Sequence, residues 1–217
     1  MRPITRQYAD KLSVKVSKIK YSEFDYLALQ EALKEYKHPK DKITKLLRDK
    51  YIIKLKRGFY IKNDESNSYI SKEIIANLLY GPSYISLEYA LSFYNMIPER
   101  VSSVTSITTK KRKEYRTGVG TFLYYKISRN YFSLGVLWKR QSDSRGYFIA
   151  SPEKALIDKL YFDEAVQSQK EMLIYLFENL RIEKHSLKGL DIILIENILH
   201  QYKKKSLLNL PKVLKKL

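Results

Sequence analysis

The chain has 217 residues, of which 41 are Lys or Arg and 23 are Asp or Glu, giving a net charge of +18, and 44% of it is hydrophobic. That apolar content excludes a wholly disordered polycation, the absence of Cys excludes disulfides and thiolate metal sites, and no apolar run reaches the ~20 residues of a membrane-spanning helix. The amino terminus lacks the apolar core of a secretory signal, so the sequence predicts a soluble, cytoplasmic protein of one large or two small domains.

The charge points to a polyanion as partner, because phosphate contacts by Lys and Arg release condensed counterions. Solubility alone, or attraction to an anionic membrane, are the competing readings. No membrane partner is expected. Residues 1–61 hold 16 basic and 7 acidic side chains, so this short stretch carries +9, as much as the remaining 156 residues together. A polar, turn-rich run at residues 63–68 marks the clearest break in composition. The expected organisation is a DNA-binding domain over residues 1–63, a linker over 64–69 and a larger domain over 70–217.

The first element is ambiguous. Leu12, Val14 and Val16 alternate as in a strand, whereas Tyr8, Leu12, Val16 and Ile19 fit a helix, and the helix is preferred. Ser22 can cap a helix over residues 23–36, with Tyr26, Leu29, Leu33 and Tyr36 as its buried stripe. His38-Pro39 breaks the chain, and Pro39 suits the first position of a helix over 39–50 that buries Ile43, Leu46 and Leu47. Counting 100° per residue, Asp41, Thr44, Lys45 and Arg48 point the other way. Two β-rich runs, 51–55 and 59–61, flank Lys56-Arg57-Gly58 and read as a hairpin that carries Lys54, Lys56 and Arg57. Helix, helix, short break, helix, basic hairpin is the order of a winged helix-turn-helix. Its outward helix would face base edges in the major groove, and its wing would hold the backbone or enter the minor groove. A small helical domain with a merely solvated charged face is the alternative.

Beyond the break, helices are predicted over 71–80 and 86–95, with Asn95 suited to a left-handed helix end. Residues 101–109 and 120–127 read as strands around the basic stretch Lys110-Lys111-Arg112-Lys113, and 131–138 and 147–150 as weaker strands. Ser151-Pro152 opens a helix to about residue 161, and further helices are expected near 168–180, 190–202 and 206–216. The fold class is therefore α+β: a winged helix-turn-helix followed by a larger mixed α/β domain.

Catalytic signatures are missing. The seven glycines form neither a phosphate loop nor a dinucleotide fingerprint, and no Ser sits in a GxSxG elbow. The three histidines lack partners at metal-ligand spacing, and Asp158 and Asp163, five apart, do not make a convergent acid pair. The chain is expected to be no enzyme, with no catalytic residue, no metal and no cofactor.

Residues 76–91, ANLLYGPSYISLEYAL, resemble the AbiEi antitoxin family. The resemblance continues through Met96-Ile97-Pro98-Glu99-Arg100-Val101, residues 105–113, Gly120-Thr121-Phe122 and the block IASPEKALID at 149–158, and Leu55-Lys56-Arg57-Gly58-Phe59-Tyr60 is similar to the wing of such proteins. It spans about residues 20–165. Tyr89 and Asn95 depart from it, standing where a small residue and a Gly are usual. The resemblance implies the antitoxin of a type IV toxin–antitoxin pair associated with abortive phage infection. In that role the winged helix represses its own operon at inverted repeats in the promoter. The larger domain counteracts a nucleotidyltransferase toxin without forming a stable complex with it. Asp41, Thr44, Lys45 and Arg48 then face bases or nearby phosphates, and Lys54, Lys56 and Arg57 are wing contacts. Lys110, Lys111, Arg112 and Lys113 extend the footprint unless they are a solvated hairpin tip. The block at 151–158 reads as packing and capping. A winged-helix regulator whose larger domain senses a ligand or partner is the alternative, as is an enzymatic larger domain.

Overall fold

The computed structural model describes residues 4–63, 71–142, 145–163 and 166–217, without the side chains of 4–10. The fold is α+β, and the chain divides into two compact units, Met1–Ile75 with Tyr115–Val119, and Ala76–Glu114 with Gly120–Leu217. The expected linker at 64–69 lies outside the described residues. Among the described residues, no helix is long and apolar enough to cross a membrane.

The first unit runs α1 (Ile4–Ser17), β1 (Glu23–Asp25), α2 (Tyr26–Ala32), α3 (Pro39–Arg48), β2 (Ile52–Lys56) and β3 (Phe59–Lys62). Its three strands form an antiparallel sheet in the order β1-β3-β2. Leu12 and Val16 of α1 join Leu29, Leu33, Ile43, Leu46, Ile52 and Tyr60 in one core, which settles the first element as a helix. The helix expected over 23–36 is shorter and starts later. Glu23-Phe24-Asp25 is extended because Phe24 pairs with Tyr60 of β3, their rings stacked at 6.2 Å, and both are buried. Asp25, not Ser22, is the cap, its carboxylate accepting the Ala28 N–H at 2.8 Å. Lys62 Nζ donates to the carbonyls of Ser17 and Ile19, satisfying acceptors left open where α1 ends.

From α4 (Lys72–Leu79), whose first half belongs to the first unit, the chain continues through β4 (Ser83–Ile85), α5 (Leu87–Phe93), β5 (Val104–Thr108), β6 (Lys113–Thr117), of which Tyr115–Thr117 belong to the first unit, and β7 (Gly120–Lys126) in the second. A 3-10 turn (Arg129–Tyr131) leads to β8 (Val136–Ser142) and β9 (Arg145–Ala150). Then follow α6 (Pro152–Phe162), α7 (Gln169–Ile174) with a wide turn at Tyr175–Asn179, α8 (Lys184–Lys188), α9 (Ile192–Leu199) and α10 (Asn209–Leu214). The six strands lie in the order β6-β7-β5-β4-β9-β8. β5 and β7 are parallel, so the strands flanking the basic stretch are not a hairpin. The intervening strand β6 was not expected, nor were β4 and α8. As expected, Asn95 is left-handed at φ 55, and Ser151 caps α6 by accepting the Lys154 N–H.

α6 is nearly all buried, including two opposite charges one turn apart. Lys154 Nζ lies 2.5 Å from Asp158 Oδ1 with both side chains fully enclosed. Its other acceptors are the Tyr131 carbonyl at 2.8 Å and the Tyr202 hydroxyl at 2.5 Å. Asp158 in turn accepts from Tyr84, Ser86 and Tyr202 at 2.8–2.9 Å. Burial lowers the Lys154 pKa, and burial followed by the Asp158 charge raises those of Tyr84 and Tyr202.

Lys154→Met would strand a buried carboxylate and is expected to cost about 3–5 kcal/mol. The double variant Lys154→Met, Asp158→Leu should cost less than the two single changes summed, because it leaves no unpaired charge. Urea titrations of the three variants check this, and strict additivity would contradict it.

The tyrosines set the alkaline limit. An unfolded tyrosine ionises near 10.0, whereas Tyr84 and Tyr202 keep their protons to higher pH when folded. Above pH 10 the folded chain therefore binds more protons than the unfolded one, and stability falls as pH rises. Lys154 works in the opposite sense, but only up to its ordinary 10.5. Unfolding followed by tyrosinate absorbance should show this decline, shallower in Tyr202→Phe than in the parent.

Candidate nucleic-acid interface

α3 is a two-sided helix. Pro39 opens it, and its Ile43 and Leu46 enter the core of the first unit. Asp41, Thr44 and Arg48 are exposed and Lys45 is half-buried, so the four side chains expected to face outward do so. Lys40 is exposed as well, but the same angular count puts it about 90° from the centre of that face and next to Leu47, so it flanks the face rather than sharing it. Two of the outward groups have local partners. The Thr44 hydroxyl donates to the Lys40 carbonyl at 3.1 Å, and Arg48 Nε meets Asp49 Oδ1 at 3.2 Å. Such an exposed pair is weak enough to exchange for a phosphate or a base edge. Asp41 sits in the first turn, where a carboxylate complements the helix dipole.

The end of α3 is fixed by its neighbours. Lys50 is left-handed at φ 58, Tyr51 N–H donates to the Leu46 carbonyl, and the Asn63 side chain donates to the Lys50 carbonyl at 2.8 Å. β2 and β3 follow as the expected hairpin. Lys56 pairs with Phe59 across the turn, and Gly58 takes φ 75, a conformation that costs a residue with a Cβ. The Gly58 carbonyl accepts the Tyr26 N–H at 2.9 Å, which ties the tip to the start of α2. Lys54 and Arg57 are exposed, and the half-buried Lys56 lies over the Phe59 ring.

In the second unit the four basic residues are exposed but not alike. Lys110 donates to the Gly81 carbonyl and lies over the Tyr80 ring, and Arg112 lies 5.1 Å from the Tyr125 ring. Lys111 follows Lys110 in the link between β5 and β6, and Lys113 begins β6. The same unit contains an open cleft of about 670 Å³ whose lining includes Glu88, Arg100, Tyr125, Lys159 and Asp163. Lys159 and Glu88 pair there at 2.8 Å, and Asp163 accepts from the Tyr175 hydroxyl at 2.7 Å. Among the described residues, no group of three or more His, Cys, Asp or Glu could hold a metal ion. The chain matches no protein-family model and no curated protein.

Gly58→Ala should destabilise the first unit by about 1–2 kcal/mol through backbone strain alone, since the added Cβ would meet only Tyr26 Cβ at an ordinary 3.9 Å. Thermal unfolding of the two proteins checks it, and an unchanged midpoint would contradict the turn geometry.

Proposed function

We propose that the first unit is a winged helix-turn-helix that binds duplex DNA, and that the chain is an antitoxin of the AbiEi type acting in the cytoplasm. The observation that carries the DNA-binding part is the pairing of α3, apolar inside and polar outside, with a basic hairpin in the order α1-β1-α2-α3-β2-β3. A helix about 10–12 Å across enters a major groove about 12 Å wide. Thr44, Lys45, Arg48 and Asp41 would then approach base edges or the flanking phosphates, with Lys54, Lys56 and Arg57 on the wing. Arg57, exposed beside Gly58, would be the side chain to enter a minor groove. Lys110, Lys111, Arg112 and Lys113 are secondary candidates, because Lys110 and Arg112 already lie on neighbouring rings.

The antitoxin part rests on the ordered blocks that resemble the family. On that reading the first unit represses its own operon at inverted repeats, and the second counteracts a nucleotidyltransferase toxin without a stable complex. No catalytic step, metal or cofactor is assigned. The buried Lys154–Asp158 pair serves packing, consistent with the block at 151–158 being structural. The charged cleft favours a second reading, in which the larger unit senses a ligand and the chain is an ordinary regulator. A nucleotidyltransferase gene directly downstream would separate the two.

Two experiments test the two halves. Binding to the chain's own promoter should weaken with salt at a log–log slope near −4 to −5, as about five phosphate contacts require. Arg48→Ala should cost about 1–3 kcal/mol at the operator if it reads a base, while Arg57→Ala weakens binding more evenly across sequences. The full chain, expressed from an unrelated promoter, should rescue cells from the downstream toxin. A slope near zero removes the DNA-binding reading, and failure of rescue removes the antitoxin reading while leaving the regulator.

A further inference from the structure

The second unit carries an aromatic feature that its core does not require. β8 is an edge strand of the sheet, and its Trp138 pairs across to Phe148 of β9. The two rings meet edge to face at 4.8 Å, yet Trp138 is 54% and Phe148 47% exposed. Both stand on one face of the sheet with Arg140, which lies two residues along β8 from Trp138.

The platform is held from below and from the side. A Cβ on Gly146 would lie 2.7 Å from two carbons of the Trp138 indole, so the ring rests where only glycine leaves room. Asn77 clamps the backbone beneath Phe148, accepting its N–H at 2.6 Å and donating to its carbonyl at 3.4 Å. An aromatic ring over a strand glycine can be a purely structural cover. That role explains the contact with Gly146. It does not explain a second, similarly exposed ring at its edge, or the Arg140 cation on the same face. Among the described residues of β8 and β9 there is no carboxylate, and of their three cations Arg140 shares the ring face, while Lys139 and Arg145 alternate to the other face, where Lys139 lies over the Phe93 ring.

We propose that Trp138 and Phe148 form a stacking platform for unpaired bases, so that the second unit binds single-stranded nucleic acid. The chemistry selects this ligand. Duplex DNA keeps its base faces stacked on one another and offers only edges, so exposed ring faces have nothing to meet there. A single strand offers both base faces for stacking and a phosphate for each nucleotide, which suits two open rings with Arg140 on the same face. The inference concerns a different surface from α3 and does not depend on duplex binding there.

Trp138 is the only tryptophan in the chain, so its fluorescence reports on this platform alone. The full-length protein is titrated with oligo-dT and oligo-U of about ten nucleotides, within the site sizes of stacking modules, and with a duplex of equal length. Saturable quenching by a single strand and not by the duplex is expected, and the stronger of the two strands identifies DNA or RNA. With a labelled strand followed by anisotropy, Trp138→Ala and Phe148→Ala should each lose about tenfold or more in affinity. Trp138→Phe should keep most of it, and circular dichroism confirms that the variants are folded. Fluorescence that stays silent to both strands overturns the proposal, and so does wild-type strand affinity in both alanine variants. Either result would leave the face to a protein partner.

Discussion

The second unit is organised around one buried ion pair. Lys154 and Asp158 lie a turn apart on α6, and enclosing either charge alone would cost several kcal/mol in lost hydration. The cost is met because every proton on Lys154 has an acceptor and both carboxylate oxygens have donors. Those partners come from distant parts of the sequence: Tyr84 on β4, Ser86 before α5, Tyr131 in the 3-10 turn and Tyr202 beyond α9. A network of this kind is satisfied only when all of its contributors are in place. It therefore favours one arrangement of sheet and helices over looser packings that apolar burial alone would tolerate. The stacked Tyr131 and Tyr202 rings, 4.2 Å apart, close the same site with apolar surface.

The first unit is built on the opposite principle. Its described core is wholly apolar or aromatic, and its polar fixings lie near the surface: Asp25 capping α2, Lys62 at the end of α1, Asn63 behind α3. Cations are thus left on the outside of a small apolar core. That division allows α3 to present a polar face without a matching charge beneath it, and it places the chain's densest positive charge on its smallest folded piece.

Legibility in the sequence followed the range of the interactions. Where a few adjacent residues decide the backbone, the reading succeeded: Ser151-Pro152 at the start of α6, Pro39 at α3, Gly58 between β2 and β3, Asn95 as a left-handed end. The outward face of α3 was computable from 100° per residue alone. Elements fixed by distant pairing were not visible. β1 is three residues long and is a strand only because β3 lies beside it, and the three residues of β4 are held between β5 and β9. β5 and β7 suggested a hairpin because they are close in sequence, but β6 lies between them along the chain and they pair in parallel. The Lys154–Asp158 spacing was in plain view as an i, i+4 pair. Such pairs usually lie on solvated faces, and nothing local announces that this one is enclosed.

The same reasoning bears on the aromatic residues. The 19 tyrosines interleave with lysines along the chain, and composition alone cannot distinguish core filling from a surface for bases. Burial separates them. Tyr84, Tyr124, Tyr131, Tyr147 and Tyr202 are inside, several with their hydroxyls committed to hydrogen bonds. Trp138 and Phe148 are an aromatic pair whose rings stay half exposed, with Arg140 on the same face of the sheet. Positive charge on this protein is thus presented in two chemically different settings. On α3 it accompanies short polar side chains and suits the edges of paired bases. On β8 it accompanies flat apolar rings and suits the faces of unpaired ones. On the proposed readings, net charge would supply attraction to a polyanion, and the neighbours of each cation would determine which form of it is recognised.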